Sequence, residues 1–270
     1  MKKIKRFMAV AAAALTMMTG LTACTGSDDS ASADTWADLE AQGYFTMGLD
    51  DAFAPMGFRD ANGELTGFDV ELAQEVATRI GLEVKMQPID WSMKETELNA
   101  GNIDVIWNGY TITDARKEKV NFTTPYLNNK QIIVTLSDSP VNTKADLAGL
   151  SVAVQKESSA YDAVTADAEF TAALNGSEPV QFDTNNEAFM DLEAGRTDAI
   201  VVDEVLARYY MKLRGAENYK VLEDNFGEEE YGIGVRKSDA VLLEKINAAL
   251  EEMKTDGTYD EIKDRWFSEN

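Results

Sequence analysis

From Tyr44 onward, short runs of β-branched and aromatic residues alternate with longer stretches whose apolar positions recur every three or four residues. That rhythm is the one of βαβ units, and it points to an α/β fold. The first cycle reads as strand Tyr44 to Leu49, helix Asp69 to Ile80, strand Leu82 to Pro88, helix Ser92 to Ala100 and strand Ile103 to Asn108. In its first long helix, Val70, Ala73, Ala77 and Ile80 fall on one stripe, with Asp69 placed as N-cap and Gly81 as the stop. A second cycle follows: strands Gln131 to Leu136 and Ser151 to Gln155, a helix from about Ser158, strand Val180 to Phe182, helix Asn185 to Ala194, strand Ala199 to Val202 and helix Glu204 to Leu213. The chain ends differently, with strand Tyr231 to Val235 and helices Ala240 to Lys254 and Tyr259 to Phe267 split at Asp256-Gly257. Two similar α/β halves imply two lobes, and in such sheets a ligand sits outside the carboxyl ends of the strands.

The N-terminus is an address. Basic Lys2, Lys3, Lys5 and Arg6 precede an apolar stretch from Phe7 to Met18 and then small residues, the three parts of a secretory signal. The stretch is too short to span a membrane and is broken by Gly20. Leu21-Thr22-Ala23-Cys24 resembles the lipobox of bacterial lipoproteins, so residues 1–23 are expected to be removed and Cys24 to carry the lipid. A single acyl chain holds a protein on a bilayer only marginally, so stable anchoring requires several. The Ser/Asp/Ala-rich stretch that follows, within residues 24–35, reads as a tether to the bilayer. An unmodified, accidental cysteine is the alternative.

The formal net charge is −23, and removal of the signal's four basic residues makes the chain more acidic still. Nucleic acid is thereby disfavoured as a partner, and an anionic membrane surface would repel the domain, which leaves the anchor to hold it there. The chain contains no histidine and one cysteine. Ser-His-Asp and Cys-His catalysis and His/Cys zinc sites are therefore out of reach, which leaves carboxylate chemistry or none. No metal and no cofactor is expected; Gly232-x-Gly234 lacks the third glycine of a dinucleotide loop, and no Walker or EF-hand pattern occurs.

Gly67-Phe68-Asp69-Val70-Glu71-Leu72-Ala73 begins an ordered series of motifs. It continues with Asp104-Val105-Ile106-Trp107-Asn108-Gly109-Tyr110-Thr111-Ile112-Thr113-Asp114-Ala115-Arg116, Phe122-Thr123-Thr124-Pro125-Tyr126, Asp146-Leu147-Ala148-Gly149, Val152-Ala153-Val154-Gln155 and Tyr231-Gly232-Ile233-Gly234. Gly257-Thr258-Tyr259 to Trp266-Phe267 completes it. The series resembles the polar amino-acid group (family 3) of bacterial extracellular solute-binding proteins, the receptors of ABC importers, from about Trp36 to Phe267. The resemblance implies a two-lobed, type II periplasmic-binding-protein-like clamp, each lobe a mixed sheet flanked by helices. Lobe 1 would hold residues 36–128 and 231–270 and lobe 2 residues 129–230, with crossings near Asn129 to Gln131 and Asn225 to Glu230. It also implies a monomer that closes on a free amino acid and passes it to a membrane permease, with no covalent chemistry.

The residues that match the family's site suit that ligand. A zwitterion that loses water in a closed cleft needs a partner for each charge. Arg116 matches the carboxylate-binding arginine, whose guanidinium fork makes two parallel bonds; without the motif it would read as a surface arginine pairing with Glu118. Thr111, Asn108 and the Gly109 backbone match the wall beside it, and Tyr110 is expected to pack. Ser158 and Ser159 stand where the family often has a threonine pair at a helix N-terminus, although Glu157 replaces the usual preceding glycine. Asp203 matches the aspartate that takes the ammonium, and it also reads as the N-cap of the next helix. Phe53 and Trp91 match aromatics that sandwich the ligand side chain, while Trp107, Phe68 and Trp266 are assigned to core. Asp50 and Asp51 precede Phe53 at a strand end, and one of them could read a polar or cationic side chain, a solvated turn pair being the alternative; Glu95 and Glu157 are weaker candidates.

Two further readings stand at this level. The Glu228-Glu229-Glu230 run reads as a solvated hinge-side loop, and Asn62-Gly63 as a hairpin turn. An enzyme on the same clamp, dehydratase-like and using a carboxylate acid, is the alternative to a receptor. It would need a perturbed glutamate facing the cleft, with Glu157 as its candidate.

Overall fold

The computed structural model describes residues 33–267; Cys24 and the signal lie outside the described residues. Two five-stranded sheets form the frame. In the first, the order is Glu83–Pro88, Tyr44–Leu49, Val105–Ile106, Gly234–Val235, Asn121–Phe122. In the second it is Val180–Phe182, Val152–Gln155, Ala199–Asp203, Leu127–Leu136, Tyr219–Tyr231. Each sheet has three parallel strands followed by one reversed strand and one restored to the original direction. The reversed strand in each sheet is the one that has just arrived from the other lobe. The two lobes are thus the same topology with the chain exchanged between them.

Three features of the first lobe follow from its sequence. The helix Phe68–Ile80 buries Val70, Leu72, Ala73, Val76 and Ala77, and each fully buried large aliphatic contributes roughly 1.5–3 kcal/mol. Gly81 closes it in the left-handed conformation, as the sequence predicts. Its start differs from the reading above: the N-cap is Gly67, at φ 138, and Asp69 makes no cap bond. Only glycine fits there, because a Cβ at Gly67 would lie 2.3 Å from the Met56 carbonyl oxygen.

The strand expected over Ile103 to Asn108 shortens to Val105–Ile106, and Tyr231 to Val235 divides, with Tyr231 ending one strand and Gly234–Val235 forming another. The hairpin expected at Asn62-Gly63 is present, pairing Gly57–Arg59 with Leu65–Thr66. The two crossings are paired strands rather than loops: Leu127 faces Tyr231, Asn129 faces Glu229 and Lys130 faces Glu228. Strand alternation therefore sends Glu228 and Glu230 outward, where they are exposed, and Glu229 inward. The solvated-loop reading of that run fails at its middle residue.

No helix among the described residues is long and apolar enough to cross a membrane.

Candidate functional site

The carboxyl ends of four parallel strands face one another across the lobes, the place where the strand order reverses in each sheet. From lobe 1 they deliver Asp50, just after Tyr44–Leu49, and Asn108 to Thr111, just after Val105–Ile106. From lobe 2 they deliver Gln155 to Ser159 after Val152–Gln155, and Asp203 at the end of Ala199–Asp203.

The lobe 1 wall is set by its backbone. Gly109 has φ +57, and a Cβ there would lie 2.9 Å from Phe53 Cε1. Its N–H donates to Asp69 Oδ2 at 2.7 Å, and the Tyr126 hydroxyl donates to the same oxygen at 2.9 Å. Asp69 is thus the fixture of the wall rather than a helix cap, and its burial pushes its carboxyl up to about 7. Asn108 is buried with neither Oδ1 nor Nδ2 bonded to protein. Tyr110 is fully buried and stacked on Phe122, with its hydroxyl donating to Glu95.

Arg116 is 4 % exposed. Its guanidinium donates to the Thr111 carbonyl at 3.0 Å and to the Glu157 carbonyl of lobe 2 at 3.3 Å, and lies over the Tyr110 ring. Among the described residues it makes no ion pair, so the alternative reading of a surface arginine paired with Glu118 is not met. Lys94, which sequence reasoning missed, is 2 % exposed and donates to the same Glu157 carbonyl at 2.9 Å. Burial, and then the charge of Arg116, push the Lys94 ammonium down to about 8, despite Glu95 at 3.5 Å. Burial works to raise the Glu95 carboxyl, but Lys94 and the Tyr110 hydroxyl outweigh it and hold Glu95 below the usual range.

In lobe 2, Glu157 adopts φ 51, in the left-handed region that favours glycine. Its side chain is exposed. Ser158 caps the helix Ser159–Ala166, accepting from the Tyr161 N–H and donating to the Gln155 carbonyl. Its hydroxyl is therefore committed within the protein. The Ser159 hydroxyl instead lies 3.0 Å from that of Thr111, across the lobes.

Asp203 is 4 % exposed and makes no side-chain cap bond. Its Oδ1 accepts from the Tyr231 hydroxyl and from Asn129 Nδ2, both at 2.6 Å. Burial, and then the nearby Glu229, push its carboxyl up to about 7. Glu229 Oε2 accepts from Thr111, Ser159, Asn129 and Gln131 at 2.9 to 3.3 Å. Asp50 is buried, bonded to the Ala52 N–H and to Gln155 Nε2 of lobe 2, and burial raises it to about 6. Asp51 is instead paired with Arg59 at 2.6 Å. Phe53 and Trp91 are both buried, in separate apolar clusters, and make no ring contact with each other among the described residues. Trp107 and Phe68 are buried in the core, and Trp266 packs against it.

Sequence reasoning missed Lys94, Asn129, Gln131, Gln155, Glu229 and Tyr231. For the strand residues a signal existed: 129 and 131, and 229 and 231, share a face by alternation once both crossings are taken as strands. Nothing in the sequence around Lys94 marks it as buried. A groove of about 800 Å³ lies beside the crossing strands, lined by Lys130, Arg208, Tyr209, Lys212 and Trp266 among others. It holds Asn129 but neither Arg116 nor Asp203, so it is not where the charged groups converge.

Residues 45–269 match the model of bacterial extracellular solute-binding proteins, family 3. The chain is 31 % identical over 231 residues to the L-cystine-binding protein TcyJ of Escherichia coli, covering 85 % of this chain and 84 % of that protein. It is 34 % identical over 229 residues to an L-arginine-binding protein of Pseudomonas aeruginosa, covering 82 % and 87 %. Among solved structures, a substrate-binding protein of an ABC uptake transporter from Streptococcus pneumoniae, with bound histidine, superposes with a TM-score of 0.85 at 39 % identity, covering 87 % of this chain and 97 % of that one. A match over nearly all of the described residues, in sequence and in fold, places this chain in the bacterial extracellular solute-binding proteins, family 3.

Proposed function

We propose that this chain is the receptor of an ABC importer, which closes on a free polar or cationic L-amino acid outside the cell and hands it to a membrane permease. One observation carries the reading. Among the described residues Arg116 is a buried cation in no ion pair, with Glu95 and Asp162 acting on it only from beyond contact, Asp203 is a buried acid in no ion pair, and they come from opposite lobes to one cleft. A buried charge without its counter-charge costs several kcal/mol, and an amino-acid zwitterion cancels both at once. The ligand carboxylate would take the Arg116 fork, the Thr111 N–H and the amides at the start of the helix Ser159–Ala166. The ammonium would take Asp203. Asp50, bonded only to neutral donors beside the buried Phe53, favours a polar or cationic side chain.

The binding set is Asp50, Phe53, Trp91, Asn108, Gly109, Thr111, Arg116, Ser158 through its backbone, Ser159 and Asp203. The working unit is a monomer with lobe 1 at residues 36–128 and 231–270 and lobe 2 at 129–230. It is held at the outer face of the cell membrane by a lipid on Cys24. Transport is favoured over dehydratase-like catalysis because Glu157, the acid on which that alternative rested, exposes its side chain. Calorimetric titration of ligand-stripped protein from Ser27 onward against each L-amino acid and cystine tests this. Micromolar binding, about −8 kcal/mol, to one or a few is expected, and no binding by folded protein would overturn the reading. For the anchor, Cys24→Ala is expected to release the protein from membranes, and continued attachment would contradict it.

A further inference from the structure

We propose that Glu229, on the second crossing strand, contacts the ligand directly and shares its α-ammonium with Asp203. This rests on the amino-acid reading above and adds to the binding set a residue on the crossing strand Tyr219–Tyr231, at the edge of lobe 2.

The donors around Glu229 converge on one of its oxygens and leave neighbouring acceptors without any. Its Oε2 accepts from the Thr111 hydroxyl at 3.0 Å, Gln131 Nε2 at 2.9 Å, Asn129 Nδ2 at 3.1 Å and the Ser159 hydroxyl at 3.3 Å. Four donors crowd one oxygen that has about two lone pairs to offer. Asn129 Nδ2 also donates to Asp203 Oδ1 at 2.6 Å, so a single amide group bridges the two carboxylates. The other ends of the same amides, Asn129 Oδ1 and Gln131 Oε1, are buried acceptors without a partner, on side chains 5 % and 0 % exposed. Two carboxylates and two idle carbonyl oxygens therefore gather at one place.

An ammonium has three donors and no acceptor, and it fits such a cluster. A carboxylate does not, because it would add a third negative group to two that already stand close. Among the described residues no group of three or more acids with metal-ligand geometry occurs, so a metal ion is not the expected occupant. The contact is placed at the ligand rather than in the hinge alone because Thr111 and Ser159, which Glu229 joins, face each other across the lobes at 3.0 Å. The proposed ligand must pass between them.

The test is calorimetry on wild type, Glu229→Gln and Glu228→Gln, with the best-bound of L-arginine, L-histidine, L-cystine and L-glutamine. Each protein is also titrated with that compound lacking its α-ammonium; for L-arginine this is 5-guanidinopentanoate. Glu229→Gln is expected to weaken the amino acid about tenfold or more and to change the deaminated compound by less than about threefold. Glu228→Gln, at an exposed residue paired with Lys130, is expected to match wild type. Unchanged or tighter binding by Glu229→Gln, or equal losses for both compounds, would overturn the inference and leave the amino-acid reading intact. If wild type binds none of the four, this inference and its premise for these ligands fall together. Thermal melts of the ligand-free variants keep a folding defect from passing as lost affinity, and Glu229→Asp, which keeps the charge on a shorter arm, is expected to lose less than Glu229→Gln.

Discussion

At one end of the cleft Arg116 is held by backbone carbonyls, one of which it shares with the Glu95-paired Lys94, whereas at the other Asp203 and Glu229 are held by side-chain amides and hydroxyls from Thr111, Ser159 and the strands that join the lobes. A carbonyl orients a cation without neutralising it, and an amide or hydroxyl does the same for an acid. Both ends thus keep charge for a ligand to cancel, but by different means. The cationic end depends on closure, because the Glu157 carbonyl comes from the opposite lobe. The acidic end is expected to depend on pH, because burial and then Glu229 raise its aspartate toward neutrality.

The largest effect should follow from removing the fixed cation. Arg116→Met is expected to weaken the ligand about a hundredfold or more, consistent with about 3 kcal/mol for a buried charged pair broken on one side. Asp203→Asn comes next, with a loss of about tenfold to a hundredfold by titration calorimetry, since amide oxygens still accept from the ammonium.

The pH dependence separates the two ends. Asp203 must be charged to meet an ammonium, and it faces Glu229, Tyr231 and Asn129. Affinity in wild type should fall as pH drops below about 7, by up to about tenfold per unit, and should level off above it. In Asp203→Asn that dependence should disappear. The ligand-free fold should show the opposite trend. With its carboxyl raised from 3.8 to about 7, protonated Asp203 favours the folded state at acid pH, and that contribution is lost as pH rises through about 7. Asp69, raised to about 7, and Asp50, raised to about 6, carry the same sign. Melting of the ligand-free protein between pH 5 and 8 checks this, with Asp69→Asn and Asp203→Asn each flattening the slope.

Smaller changes sharpen the cationic end. Lys94→Met removes one donor across the lobes and should weaken the ligand by about tenfold or less, without moving the pH at which affinity declines. Glu157→Gly keeps the carbonyl that both cations use and relieves a left-handed residue, so melting should rise by about 1 kcal/mol or less while affinity stays within about threefold. A large loss of affinity in Glu157→Gly would mean that its exposed side chain takes part after all.

The same contrast governs what could be read from the chain. The lobe 1 wall lies within nine consecutive residues, Asn108 to Arg116, and its conformation depends on local demands such as a glycine at φ +57. Local demands leave local signatures. The strands Tyr44–Leu49 and Val180–Phe182 were legible to the residue for the same reason, since their β-branched, aromatic and apolar content is self-contained. The strand Tyr219–Tyr231 was not, because Glu, Asp, Asn and Gly are poor strand formers and only pairing with Leu127–Leu136, almost a hundred residues earlier, makes it one. Glu229 was lost with it. Asp69 was misplaced because an acid at a helix start usually caps, and the carboxylate that instead braces Gly109 reaches forty residues along the chain.

In the proposed complex Arg116 takes the ligand's carboxylate while the far end takes its ammonium. The direct test is calorimetry of wild type and Arg116→Met with the bound amino acid and with its decarboxylated amine. Wild type is expected to bind the amine about a hundredfold more weakly than the amino acid, and Arg116→Met to bind the two about equally. A variant that still prefers the amino acid by the wild-type margin would place the carboxylate elsewhere and contradict it.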